Sequence, residues 1–167
     1  MDIFVEKIVK RKNTSADLVF NIGIILGGIG LAVIVLLIPY INNFGFILVA
    51  GIIYGVYYLQ TSRSVEYEYV VTNGDLDIDK IVSKRKRKRV FSASCKEFDM
   101  VARITNESLK QEVKNAKKQI LAVSSMEAQD VYFVSLNYKS ERTLLFFEPD
   151  QRMIDAFKIY IPKKVFE

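Results

Sequence analysis

The sequence predicts an α+β membrane protein, in which a two-helix transmembrane hairpin is followed by an antiparallel β-barrel of about seven strands and a C-terminal capping α-helix. Two observations lead to this prediction. Residues 18–62 form a run of 45 residues without Asp, Glu, Lys or Arg. Short segments that alternate apolar and polar residues follow it, and the last apolar pattern changes to helical spacing. The expected division is an N-terminal basic amphipathic segment at 1–17, a helical hairpin at 18–62 and a cytoplasmic domain at 63–167.

The composition limits the chemistry that the chain can perform. Its 167 residues hold 24 Lys and Arg against 19 Asp and Glu, one Cys and no His. Without His there is no imidazole base and no His metal ligand. A single Cys excludes an internal disulfide and a multi-Cys zinc site, and it is typical of a reducing compartment. We therefore expect no cofactor, no metal and no enzymatic activity, while a catalytic site built from carboxylates alone stays open.

The charge-free run is too long for one transmembrane helix, which needs about 20 residues. Pro39 and the two asparagines that follow at 42 and 43 mark a turn within it. The predicted spans are 18–38 and 44–60, the second of which is short but can be extended by a snorkelling Arg63. No small-residue cleavage site follows the first apolar stretch, so a cleaved signal peptide is not expected.

Basic residues flank the predicted hairpin on one side only. Four of them precede the first span and Arg63 follows the second, whereas the turn between the spans carries no charge. Positively charged flanks stay in the cytoplasm. The sequence therefore predicts a multi-pass protein of the plasma membrane with both termini cytoplasmic.

Each predicted span carries two glycines four residues apart. Gly23 and Gly27 lie near the cytoplasmic end of the first span, and Gly51 and Gly55 near that of the second. In an antiparallel hairpin the two pairs fall at the same depth, and small residues let helices approach closely in lipid. The pairs predict helix packing, with an intramolecular contact favoured. Exposed glycine faces would instead favour a membrane-protein partner or a homo-oligomer.

The first twelve residues are predicted to form a short amphipathic helix in the membrane interface. Phe4, Val5, Ile8 and Val9 fall on one helical face, and charged residues lie off it. A basic tail that only sets the topology is the alternative.

The domain at 63–167 is predicted to contain strands followed by a helix. Alternation begins at Val65, and Asn73-Gly74 is a strong hairpin signal that leads into a return strand at 75–79. Five further strands are predicted at 90–95, 98–104, 119–124, 130–138 and 143–148. The polar residues 107–118 are either a solvated helix or a mobile insertion. After Pro149 the apolar residues take helical spacing until Pro162 ends the helix.

Four strands, three strands and a capping helix resemble the pleckstrin-homology-like (PH-like) barrel. The whole chain also resembles an uncharacterised family of small Gram-positive bacterial membrane proteins with two transmembrane helices and a C-terminal PH-like domain. The residues that carry this resemblance are Glu66-Tyr67-Glu68-Tyr69, Thr72-Asn73-Gly74, Asp77-Ile78-Asp79-Lys80 and the basic residues that follow them. The resemblance implies a multi-pass membrane protein with a PH-like domain, and it supplies no activity.

The most distinctive feature of the domain is a basic run. It consists of Lys84, Arg85, Lys86, Arg87, Lys88 and Arg89. Because neither its Lys face nor its Arg face could enter a core, the run is predicted to be a projecting hairpin tip or loop. Close to a bilayer it would engage anionic lipid headgroups, each charge contributing about 1 kcal/mol, or a protein partner. A solvated run without a ligand is the alternative.

Two other ligands are weaker candidates for this region. Nucleic acid is not favoured, because no aromatic residue interleaves the run and the predicted membrane tether argues against it. Asp75, Asp77 and Asp79 have the spacing of a calcium loop, but Lys80 and Lys86 occupy the positions that require Gly and Glu. The three Asp are instead predicted to form the solvent face of a strand that pairs with the basic run.

The sequence as a whole predicts a non-enzymatic, membrane-anchored binding or scaffold module. It would hold its cytoplasmic domain at the inner leaflet, where it engages anionic lipid headgroups or a protein partner. A structural or accessory subunit of a larger membrane protein complex is the alternative.

Overall fold

The computed structural model describes residues 3–39 and 42–166, with the backbone alone for residues 42 and 43. The chain divides into two compact units, which we call the β domain (residues up to Arg11 and from Val65 onwards) and the helical hairpin (residues 12–64). In chain order the elements are β1 (Phe4–Lys10), α1 (Ser15–Leu37), α2 (Asn42–Thr61), β2 (Val65–Thr72), β3 (Asp75–Val82), β4 (Lys86–Ser94), β5 (Phe98–Arg103), α3 (Leu109–Asn115), β6 (Lys118–Ala122), β7 (Tyr132–Tyr138), β8 (Glu141–Phe147), α4 (Gln151–Tyr160) and β9 (Val165–Phe166).

The strands of the β domain form two sheets. The first sheet has the order β1-β2-β3-β4, and every neighbouring pair in it is antiparallel. The second sheet has the order β6-β8-β7-β5-β9, in which β6 runs parallel to β8 and β9 runs parallel to β5. Both parallel pairs join strands that are not consecutive in the chain, as parallel pairing requires.

The predicted closed barrel of about seven antiparallel strands is corrected by this topology. Within residues 3–39 and 42–166 there are nine strands in two sheets, and no closed barrel. The two additional strands are β1 and β9, from opposite ends of the chain. Each pairs with a strand far away in sequence, so that local alternation and turn signals do not reveal it.

The seven predicted strands correspond to β2–β8, and the predicted C-terminal helix is α4. The Asn73-Gly74 turn has positive φ angles of 50° and 89°, which a two-residue type I′ hairpin requires. At the start of α4, the Asp150 carboxylate accepts the backbone N–H of Met153 at 2.9 Å. The polar segment 107–118 contains the short helix α3.

The interfacial helix predicted for the first twelve residues is wrong, because Phe4–Lys10 is strand β1. Asn73 fixes the start of this strand. Its backbone N–H donates to the carbonyl oxygen of Ile3, and its Oδ1 accepts the backbone N–H of Ile3, both at 3.0 Å. The N-terminal segment therefore belongs to the β domain, and the helical hairpin is an insertion between the first two strands.

The main core lies between the two sheets and against α4. Phe157 of α4 is fully buried, with its ring centroid 5.9 Å from that of Phe98 and 6.3 Å from that of Phe147. Edge-on aromatic pairs of this kind add about 0.5–1.5 kcal/mol beyond their buried area. The hydroxyl of Tyr69 donates to the carbonyl oxygen of Ala122, which links the first sheet to the second.

A second apolar cluster covers the other face of the second sheet. Phe133 and Leu144 are fully buried there, and Leu109 of α3 packs against them. The guanidinium of Arg142 holds α3 in place by donating to the Glu112 carboxylate at 2.8 Å. The second sheet is thus covered on both faces.

The helical hairpin begins with a capping box at Thr14 and Asp17, whose backbone N–H groups each donate to the other's side chain. The Arg63 guanidinium donates to the same Asp17 carboxylate at 3.2 Å and lies 3.4 Å from the centroid of the Phe20 ring. This ion pair joins the start of α1 to the residues after α2. The predicted turn at 39–43 includes residues 40 and 41, which lie outside the described residues.

Both helices are long and apolar enough to cross a membrane. They are Ser15–Leu37 and Phe44–Thr61, and apolar residues dominate both. Their apolar side chains are largely exposed within the protein, with Val19 at 71% and Leu37 at 74%. The helices correspond closely to the two predicted spans.

Candidate functional site

The basic run lies in the β3–β4 hairpin. Lys84 and Arg85 belong to the turn between the strands, where Ser83 and Lys84 have positive φ angles of 55° and 54°. Lys86–Arg89 form the first half of β4. The prediction of a projecting hairpin tip or loop is therefore correct for the turn, whereas Lys86–Arg89 are part of a paired strand. The rest of the run forms a strand, in which the arginines and the lysines lie on opposite faces of the sheet and have different neighbours.

The basic run lies at the end of the first sheet where the chain enters and leaves the helical hairpin. Val65, the first residue of β2, pairs with Val82, and Val82 pairs with Lys86. The carbonyl oxygen of Val65 also accepts the backbone N–H of Arg11 at 2.9 Å. The strand register alone therefore brings the basic run to the end of the sheet at which the chain leaves β1 for the helical hairpin and returns into β2.

The arginines of β4 lie on the outer face of the first sheet and are neutralised there. Arg87 pairs with Glu68 at 2.8 Å, and Arg89 pairs with Asp77 at 2.7 Å and also with Asp79. The hydrogen bond to Asp79 raises the pKa of the Arg89 guanidinium above its ordinary value. Charge-assisted hydrogen bonds of this kind are among the strongest in proteins. Both arginines are therefore parts of the fold.

The acidic partners include two carboxylates that are almost buried. Glu68 is 5% exposed and Asp79 is 6% exposed. The predicted pairing of the aspartates with the basic run is confirmed for Asp77 and Asp79. The prediction that the aspartates lie on a solvent face is wrong for Asp79, because the arginines cover it.

The lysines of β4 lie on the inner face, which carries the core further along the sheet. Lys88 is directly opposite Lys80 of β3, and Lys86 is directly opposite Val82. Directly opposed residues share a face of the sheet. Within the described residues, no carboxylate oxygen lies within 4.0 Å of the ammonium groups of these lysines. Their positive charge is therefore available to a ligand.

A groove of about 730 Å³ opens beside these lysines. Its lining residues are Lys80, Val82, Arg85, Lys86, Arg87 and Lys88. Most of the lining surface is apolar, from Val82 and the aliphatic stems of the basic residues, and the cationic groups form its polar part. The groove can hold an anionic group together with apolar atoms next to it.

Lys80 is a member of this site that sequence reasoning misses. Its position opposite Lys88 depends on the register between β3 and β4, which the three-residue turn at 83–85 sets by pairing Val82 with Lys86. No Gly, Pro or Asn marks this turn in the sequence. The available signal is only that Lys80 continues the return strand that follows Asn73-Gly74.

The four glycines predicted to pack are Gly23, Gly27, Gly51 and Gly55. A Cβ atom added to any of them would have no atom of the described chain within 4 Å outside its own helix backbone. A Cβ atom on Gly28 would instead lie 2.6 Å from Cγ2 of Val56. The close contact between α1 and α2 is therefore at Gly28, and the expected contact through the two glycine pairs is not formed within the hairpin.

The remaining candidate ligands and nucleophiles are the carboxylates and the single cysteine. No group of three or more Cys, Asp or Glu side chains that could hold a metal ion is found among the residues that the structure describes. Cys95 is buried, and burial raises the pKa of its thiol. A thiol of this kind is a poor nucleophile at neutral pH.

Two sheets that enclose a core, with a C-terminal helix packed against that core, are the arrangement of a PH-like domain, a class that commonly binds lipids or proteins. The chain belongs to the bacterial PH-like domain family DUF6106, whose model matches residues 1–167. The match covers the helical hairpin as well as the β domain. No curated protein and no solved structure matches the chain.

Proposed function

We propose that this protein is a non-enzymatic, membrane-anchored binding module. Its helical hairpin crosses the plasma membrane twice, and its β domain engages anionic headgroups of the cytoplasmic leaflet through the basic run. The observation that carries this proposal is the register of the first sheet. The pairing of Val65 with Val82 puts the basic run at the end where the chain leaves for the hairpin.

The composition of the two helices supports the membrane anchor. Most of their side chains are apolar and largely exposed, which a water-soluble protein avoids because large apolar patches associate. Lys10, Arg11 and Lys12 precede α1, and Arg63 follows α2. These flanking charges favour an orientation with both termini in the cytoplasm.

Short connections between the two units support contact with the leaflet. Residues 12–14 and 62–64 connect the β domain to the helices. Three extended residues reach at most about 11 Å. Charges interact over about 8 Å at physiological ionic strength. When the hairpin is inserted in the membrane, connections of this length would hold the end of the first sheet at a comparable distance from the charged leaflet.

The four unpaired members of the basic run supply the attraction to lipid. Lys84, Arg85, Lys86 and Lys88 would contribute about 1 kcal/mol each at an anionic surface, or about 4 kcal/mol together. Arg87 and Arg89 add less because carboxylates already neutralise them. This affinity is weak for a free domain. It suffices for a tethered one, whose effective concentration is in the millimolar range.

Vesicle binding by a hairpin-deleted variant tests the proposal. In this variant Asn-Gly replaces residues 12–64, so that Arg11 and Val65 flank a two-residue turn. We expect it to sediment with vesicles that contain acidic lipids, to ignore neutral vesicles, and to lose binding at high salt. Changing the four unpaired basic residues to Ser should abolish binding.

A matched control keeps the change in net charge constant. Lys110, Lys114, Lys117 and Lys118 are exposed lysines elsewhere on the β domain, and changing these four to Ser should leave vesicle binding intact. Charged side chains on an edge strand also prevent strands of different molecules from pairing. If the variant with four Ser in the basic run still binds acidic vesicles, the proposal is contradicted. The run would then serve only to keep the edge strand β4 from pairing with other molecules.

A second candidate function is a structural subunit of a larger membrane complex. The glycine pairs favour it, because the faces of Gly23, Gly27, Gly51 and Gly55 are free of contacts with the other helix of the hairpin. Glycine faces of this kind allow close helix packing in lipid. Changing Gly27 and Gly51 to Ile should then shift the protein from a large complex to a smaller species in native gels of solubilised membranes.

A further inference from the structure

Two lysines in the first sheet occupy positions that repel each other. Lys80 and Lys88 are directly opposed on β3 and β4, a position in which Cβ atoms are about 5 Å apart. Like charges in directly opposed positions destabilise a sheet. Lys86 lies two residues from Lys88 on the same face, about 7 Å along the strand. Three ammonium groups can therefore reach a common point.

The two faces of the first sheet differ in charge at this end. By the strand register, the acidic residues of β1–β3 all fall on the outer face: Glu6, Glu66, Glu68, Asp75, Asp77 and Asp79. The inner face of the described strands carries lysines and no carboxylate. Arg87 and Arg89 have their counterions within the fold, whereas the inner-face lysines do not. Among the described residues no carboxylate compensates their charge, which leaves it for a ligand.

We infer that Lys80, Lys86 and Lys88 form a binding site for the terminal phosphate of a phosphomonoester lipid. A phosphomonoester carries close to two negative charges at neutral pH and three strong acceptor oxygens. These oxygens match three ammonium groups, each of which is a compact donor that can turn toward its acceptor. A phosphodiester headgroup has one charge and fewer free oxygens, so it satisfies the site less well.

The apolar lining of the groove identifies the ligand as a lipid. Val82 and the aliphatic stems beside it offer a surface for the glycerol and the first acyl carbons next to the phosphate. A free phosphate would leave this surface in water. The inference rests on the proposed function, since it names the lipid class that the basic run would meet at the leaflet.

Binding of short-chain lipids to the full chain in detergent micelles tests the inference, with native mass spectrometry as the readout. The probes are dihexanoyl phosphatidic acid, dihexanoyl phosphatidylglycerol and glycerol 3-phosphate. We expect phosphatidic acid to bind about tenfold more tightly than phosphatidylglycerol, since its phosphate can accept an additional hydrogen bond from a charged lysine. Glycerol 3-phosphate, which lacks acyl chains, should bind more weakly than either.

Single substitutions locate the site. Lys80→Gln and Lys88→Gln should each remove most of the preference for phosphatidic acid. If the half-buried Lys80 is needed for folding, Lys86→Gln replaces it in the test, because Lys86 is exposed. Lys84→Gln is the matched control. It removes the same charge from the adjacent turn but does not line the groove, so both lipids should bind more weakly while the preference for phosphatidic acid persists.

Four results would overturn the inference. The first is equal affinity for phosphatidic acid and phosphatidylglycerol, and the second is an equal loss of the preference for phosphatidic acid in Lys84→Gln and Lys80→Gln. Either would mean that the protein senses only surface charge, and the proposed function would stand. Glycerol 3-phosphate that binds as tightly as phosphatidic acid would assign the site to a soluble phosphomonoester. If the hairpin-deleted variant also ignores acidic vesicles, the proposed function fails together with the inference.

Discussion

The backbone N–H of Arg11 donates to the carbonyl oxygen of Val65 at 2.9 Å, although these residues are separated in the chain by the whole helical hairpin. They continue the antiparallel pairing of β1 with β2, which pairs Lys10 with Glu66. The hairpin therefore occupies the position of a turn between two neighbouring strands. Its two connections are held side by side by the sheet itself.

This relationship predicts that the β domain folds without the helices. The hairpin-deleted variant should be soluble, with a mainly β circular dichroism spectrum and a single cooperative melting transition. The fragment 63–167 lacks β1 and leaves the edge of β2 unpaired, so it should melt at a lower temperature. Equal melting temperatures for the two proteins would show that β1 contributes nothing to the domain.

The packing of α4 predicts a large cost for truncating Phe157. Phe157→Ala should destabilise the hairpin-deleted variant by about 3–5 kcal/mol, because it leaves a cavity between the rings of Phe98 and Phe147. Ile159 lies on the same helix and is 67% exposed. Ile159→Ala should therefore change the free energy of unfolding by no more than about 0.5 kcal/mol in urea titrations. Similar effects of both would mean that α4 is not docked.

The ion pairs on the outer face predict that the arginines of the basic run are structural. Arg89→Ser removes the main partner of Asp79, which is 6% exposed, and should lower the free energy of unfolding by about 1–3 kcal/mol. Arg85→Ser in the exposed turn removes the same charge and should have almost no effect. Urea unfolding of both variants measures the difference. If the two variants have the same urea unfolding curve, the ion pairs of Arg89 contribute no more to stability than an exposed charge does.

The basic run also shows what sequence reasoning could and could not reach. The alternation of Arg and Lys correctly indicated that neither face belongs in a core. The prediction of a projecting hairpin tip or loop does not extend to Arg87 and Arg89, because they pair with carboxylates on β2 and β3. Those partners are defined by register, and the turn at 83–85 sets that register without a Gly, Pro or Asn to mark it.

The two ends of the chain illustrate the same limit. Local signals were sufficient for β2–β8, because turns such as Asn73-Gly74 and alternating residues lie within each hairpin. The segment Phe4–Lys10 fits a helical face and a strand equally well in isolation. Its partner β2 lies beyond the helical hairpin. Only pairing with β2, a tertiary effect, selects the strand.

The proposed membrane topology predicts which positions an external reagent can reach. Single Cys residues at Asn42 or Asn43, in a Cys95→Ser background, should react with a membrane-impermeant thiol reagent added to intact cells. Cys residues at Asn13 or Lys164 should react only after the cells are opened. Reaction at both ends of the hairpin in intact cells would contradict two spans, since two spans return the chain to its starting side.

The helix contact predicts different outcomes at two adjacent glycines. Gly27→Ala and Gly28→Ala each remove a glycine from the interior of α1, which improves helix propensity by about 1 kcal/mol. Only at Gly28 does the new Cβ fall 2.6 Å from Cγ2 of Val56, a β-branched side chain with few rotamers to accommodate it. Gly28→Ala should therefore lower the melting temperature of the full chain in detergent micelles, and Gly27→Ala should not. If both variants melt alike, α1 and α2 do not pack through Gly28.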